Sequence, residues 1–263
     1  MFRNYRLLAA VHSGAGTAKR YIRAVNQNSK QGDVEVRSAG RLAVPIPAGL
    51  RLTPRKSSAL TDLLNVMAQG ESIAMEGARL QATIAPTRES RKFLRVQARH
   101  ERFHARIFET AGRWISGGTV RPTAMPRELL CWQSQTRDAV RANDFPTSVL
   151  IQQVFLEGLG HILLQDLERG IMQHGVNRLA GVRRLILSQE AEHHHFGIKM
   201  VEQARQKEPA ITRRLLALSA GLFEQAHELL ATFHEPFEIL EVERGDYLAA
   251  LRATIPAWLH ETH

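Results

Sequence analysis

Beyond residue 60 the chain shows long, sustained helical periodicity and almost no strand signal: apolar residues recur every three or four positions over stretches of about thirty residues. A first helix is expected from about Ser57 to Ala85, where Pro86 stops it. A second begins at the N-cap candidate Thr87 and runs to about Ile115, ahead of Gly117-Gly118. Residues 116–144 read as a long connection containing Pro122 and Pro126, with a short helix around Glu128–Val140. A third long helix starts after Asp144, with Pro146 in its first turn, and ends at Gly175. The fourth spans about Asn177–Gln206, followed by Pro209, a fifth helix over about Ala210–Phe233 and a short one near Tyr247–Leu259. Two hairpins of long helices joined by one crossover of about thirty residues predict an all-α, ferritin-like four-helix bundle with one long crossover between helices 2 and 3. Residues 207–263 then form a C-terminal helical extension of the domain at 57–206.

Charge adds a third region. Residues 1–60 hold 11 Lys/Arg against Asp33 and Glu35, whereas the remaining 24 basic and 24 acidic residues balance. Residues 1–56 therefore read as a basic arm, able to meet nucleic acid or an anionic surface, or to pack on the mate in a homodimer. The stretch Met1–Lys30 has no acidic residue and also resembles an organelle transit sequence. The single cysteine, Cys131, excludes an internal disulfide and any cysteine-rich metal site within one chain, and suits a cytoplasmic location. No apolar run of membrane-spanning length and no secretory signal stand out.

The chemistry lies in Glu-x-x-His pairs, which place both side chains on one helix face. With 12 His among 263 residues, chance gives about one such pair, and four occur: Glu101/His104, Glu190/His193, Glu192/His195 and Glu224/His227. Helical phase separates them. Glu190 and His193 share the apolar stripe of Ile186, Leu187, Gly197, Met200 and Val201, while Glu192 lies about 200° away. Glu101 and His104 align with Leu94, Ala98, Ala105 and Phe108, opposite an arginine stripe of Arg88, Arg91, Arg95, Arg99, Arg102 and Arg106. Glu224/His227 lies outside the four core helices.

Depth supplies the partners. Glu71 and Glu101 each stand fifteen residues from Pro86, about 22 Å along their helices, so they meet at one level. Glu157 shares a face with Leu150, Val154 and Leu164 and lies 18 residues before Gly175, with Glu190 15 after it. Four inward carboxylates without a cation are costly, so two multivalent metal ions are expected, Fe or Mn rather than a soft metal. His161, one turn beyond Glu157, is the catalytic candidate, with three roles open: a further ligand, a hydrogen-bond partner of a ligand, or a proton relay. His194 and His195 are expected to face solvent or a partner.

The stretch Gln189-Glu-Ala-Glu-His-His-His-Phe-Gly197 resembles the fourth-helix signature of ferritin-like di-iron carboxylate proteins, and Arg99-His-Glu-Arg-Phe-His-Ala-Arg-Ile-Phe108 the second-helix signature. The resemblance implies metal ligands Glu71, Glu101, His104, Glu157, Glu190 and His193, with Glu101 and Glu190 bridging. Many members carry Asp before each motif glutamate, orienting a histidine of the other pair; His100 and Gln189 stand there in this chain. Phe108 occupies the place of the radical tyrosine of ribonucleotide reductase small subunits, so a radical-generating role is not implied. The implied activity is that of an O2-activating di-iron (or Fe/Mn) oxidase or oxygenase acting on a small organic substrate, supplied by an electron donor. Its pocket is expected among Met67, Met75, Phe108, Phe155 and Phe196. A ferroxidase, a di-iron hydroxylase acting on tRNA and a metal-free helical interaction protein remain as alternatives.

Overall fold

Proline and capping side chains punctuate the helices. The computed structural model describes residues 52–118, 123–173, 180–241 and 246–260, with backbone only for 168–173 and 180. Helix α1 (Pro54–Ile84) starts three residues earlier than expected, because Thr53 caps it and Pro54 fits its first turn. It ends where Ala85, preceding Pro86, turns extended. Thr87 and Ser90 form a reciprocal capping box that opens α2 (Arg88–Ile115). Gly117 and Gly118 then leave that helix with positive φ. Helix α3 (Arg127–Arg141) occupies the connection, and Asp144 caps the next segment by accepting a hydrogen bond from the Thr147 amide (3.2 Å).

That segment departs from the expected regular helix. It runs as α4 (Phe145–Val149), a π-helical stretch π1 (Leu150–Leu156) and α5 (Glu157–Gln173). Every residue of π1 is buried, including the consecutive Gln152 and Gln153. A regular helix would turn consecutive residues 100° apart; the wider π turn and packing on all sides bring both inward. Residues 145–167 are also long and apolar enough to cross a membrane, which corrects the expectation that no such stretch exists. The most apolar window of this helix is 83% buried within the fold, so it serves as the central helix of the core.

Helix α6 (Ala180–Lys207) packs against π1 and α5, and α7 (Ile211–Thr232) closes over π1. An unforeseen short helix, α8 (His234–Leu240), lies against α1; α9 (Tyr247–Thr254) and a 3₁₀ turn (Ala257–Leu259) seal α5 and α7. The described residues are mostly helical, with no strand among them. Trp132, Phe155, Leu94, Leu150, Leu215, Leu222 and Leu251 are among the fully buried core side chains. Residues 1–51, Pro122, Gly175 and Asn177, to which the arm, a crossover proline and two helix ends were assigned, lie outside the described residues.

Glycine permits the closest approach of α6 to π1. A Cβ on Gly197 would lie 2.5 Å from Gln153 Cβ and 2.9 Å from its backbone carbonyl carbon. At Gly77 the nearest atom is only the end of the Gln152 side chain. Both positions gain the same helix propensity on becoming alanine, so the difference isolates the approach. Gly197→Ala should destabilise the protein by about 1–3 kcal/mol, and Gly77→Ala by less, in denaturant unfolding. Equal costs would contradict this packing.

Candidate metal centre

Four helices deliver six acidic and imidazole side chains to one interior point. Glu71 comes from α1, Glu101 and His104 from α2, Glu157 from the junction of π1 with α5, and Glu190 and His193 from α6. All are buried except Glu71, which keeps 11% of its side chain exposed. His104 Nδ1 lies 2.8 Å from Glu190 Oε1, 3.0 Å from Glu101 Oε2 and 3.4 Å from Glu71 Oε2. His193 Nδ1 lies 2.9 Å from Glu101 Oε1, 3.5 Å from Glu157 Oε2 and 4.0 Å from Glu190 Oε2. Two groups result, Glu71/Glu101/His104/Glu190 and Glu101/Glu157/Glu190/His193, each with ligand atoms within 4.8 Å of one another. Glu101 and Glu190 belong to both.

Proximity here is not hydrogen bonding. Both Glu101 oxygens, Glu190 Oε1, His104 Nδ1 and His193 Nδ1 are buried without a hydrogen bond of acceptable geometry. These unpaired atoms belong to the two groups that could hold a metal ion. A buried set of carboxylate oxygens and two imidazoles could hold a metal ion.

The outer ring nitrogens are anchored. His104 Nε2 donates to Gln189 Oε1 (2.8 Å), which leaves Nδ1 free to face the cluster. His193 Nε2 lies 3.2 Å from His100 Nδ1, and Phe93 packs edge-on against the His193 ring. The residue before each motif glutamate thus holds the histidine of the opposite pair. A further chain, which the sequence reading missed, supports Glu157. Gln97 Nε2 donates to Glu157 Oε1 (2.7 Å) and Gln153 Oε1 (2.8 Å), Gln153 to Gln81 (2.7 Å), and Gln81 to the Ser148 carbonyl (2.8 Å). Gln97 precedes Glu101 by one turn and was visible as an inward residue; Gln153 was hidden by the π segment.

Electrostatics shows how strongly the cluster is constrained without metal. Burial pushes Glu71 up to about 7 and Glu190 well above the usual carboxylate range; His104 opposes this, and neighbouring carboxylates add to it. Glu101 is held down at about 2: burial acts against ionisation, but the charge of His193 and the nearness of both histidines win. Burial disfavours charged His104 and His193, yet the surrounding carboxylates raise both.

Other expectations change. His161 does not join the cluster. Its Nε2 lies 2.7 Å from Gln165, its Nδ1 has no partner, and burial together with nearby His194 lowers its pKa. The cluster-facing side of α5 at this level is instead that of Gly160 and Leu164. His194, expected outside, is buried at 7% exposure between the Gln153 carbonyl (3.3 Å) and the Thr254 carbonyl (3.2 Å), because α9 covers it. His195, Glu192, Glu224 and His227 are exposed.

A cavity of about 60 Å³ adjoins Glu71, Glu157 and Glu190. Of the side chains expected to line it, only Met67 does. Phe155 packs on Phe223, Phe196 stacks on Phe93, and Phe108 joins Leu64, Leu164 and Ile186 in the core. The chain matches no protein-family model and no curated protein.

Ligands must lose their protons to bind metal. Loading Co(II) into metal-free protein should therefore release protons, and affinity should fall as pH drops from about 8 to about 6. Calorimetric titration in buffers of different ionisation enthalpy checks this; pH-independent affinity without proton release would contradict the account.

Proposed function

We propose that this chain is a ferritin-like di-metal protein, in which α1/α2 and α4–α6 form the two hairpins and α3 lies in the crossover. In this reading it is an O2-activating oxidoreductase, an oxidase or oxygenase acting on a small organic substrate with electrons from a separate donor. The supporting observation is the pair of overlapping ligand groups, joined by Glu101 and Glu190 and built from inward side chains of four helices. Glu71, His104 and the shared carboxylates would hold one ion; Glu157, His193 and the same shared carboxylates the other. Two ferrous ions so held would supply two electrons to O2 together.

The protein's own part is positional. Gln189 and His100 fix the imidazole rings, and Gln97 keeps Glu157 aimed inward. Largely apolar walls around the adjoining cavity leave room for a reactant beside three carboxylates. Those walls favour an organic substrate over hydrated iron as cargo, since an ion in transit would find no polar path among Val66, Leu156 and Leu163.

Anaerobic addition of Fe(II), followed by air, should consume O2 and produce a near-ultraviolet ferric absorption band. Glu101→Ala and Glu190→Ala should lose most of both signals, while the exposed Glu192→Ala should keep them. Equal losses at Glu190 and Glu192 would contradict the assignment.

A further inference from the structure

Two glycines in helix interiors face the cavity. Gly70 in α1 and Gly160 in α5 both line it, beside Glu71 and one turn from Glu157. Neither has the positive φ that would require glycine, and a Cβ built on either meets no atom within 4 Å. Glycine inside a helix is less stable than alanine. Conformation does not explain the pair; the space they leave open does.

The space has a definite chemistry. Among the described residues its charged wall groups are the three carboxylates at the cluster; the rest are aliphatic side chains, Met67 and the two glycines. An anionic ligand end would meet those carboxylates, and among the described residues the lining offers no counter-charge to hold one. Val66, Gly70, Gly160 and Leu163 are half-buried, whereas Leu129, Leu156 and Leu229 are buried. The slot therefore opens along the seam of α1 and α5 and closes on the cluster. At about 60 Å³ it is less than half the roughly 150 Å³ of a cavity that takes benzene.

We infer that this slot receives the uncharged end of an unbranched aliphatic chain, led to the carboxylate cluster between Gly70 and Gly160. The assignment rests on the di-metal reading for its purpose, but its binding test does not. The full-length protein as purified is titrated calorimetrically with n-octanol, with cyclohexanol as the ring control and xenon as the gas control, and metal content is measured on each sample.

n-Octanol should bind and cyclohexanol should not. Gly160→Val should weaken n-octanol about tenfold, the equivalent of displacing roughly two methylenes. Gly70→Ala, a milder filling, should weaken it less while raising the melting temperature. Gly221→Ala, at an exposed site on α7, should change neither binding nor metal content. Binding of cyclohexanol as tightly as n-octanol, undiminished binding to both cavity variants, or entry of xenon alone would overturn the inference. Chain binding that is lost in Gly160→Val, in protein that takes up no metal, would uphold the slot and refute the di-metal reading. Full metal content without n-octanol binding would do the reverse.

Discussion

Four carboxylates pointing at one interior spot impose the constraint on which the rest of this structure depends. Moving one ionised carboxylate out of water costs several kcal/mol after relaxation, and like charges a few ångströms apart add to that. The fold nevertheless keeps Glu101, Glu157 and Glu190 buried and Glu71 nearly so. Two imidazoles are set among them, and the remaining strain appears as displaced proton affinities on nearly every member. An arrangement serving stability alone would have placed leucines there. A cation held there would offset that cost.

The surrounding structure holds the arrangement rigid. Gln189 and His100 reach across between α6 and α2 to the opposite histidines, so each pair is fixed by the other helix. The π segment turns Gln153 into the same interior as Glu157 and links both to α1 and α2 through Gln97 and Gln81. Gly197 lets α6 approach this widened turn. These features come from different helices but converge on three candidate ligands, His104, Glu157 and His193.

Most of the site was legible because helical phase is a strong signal over long amphipathic segments. Pro86 and Thr87 marked the α1/α2 turn, and equal distances from it placed Glu71 and Glu101 at one level. Phase also separated buried Glu190 from exposed Glu192. What failed did so for local physical reasons. A regular 100° step assumed through residues 150–156 ignored the π turn and hid Gln153, while His161, one turn beyond Glu157, pairs with Gln165 instead. The covering of His194 by α9 is a long-range contact that periodicity does not encode. The cavity was sought among large aromatics, whereas glycines, which carry no hydrophobic signal, open it.

Elemental analysis of protein purified without chelator tests the central claim most directly. The account predicts two metal ions per chain, iron or manganese, both lost when Glu101 and Glu190 are replaced together. A protein that carries no metal and takes up none from Fe(II) or Mn(II), or that binds a single zinc ion unaffected by those replacements, would contradict it.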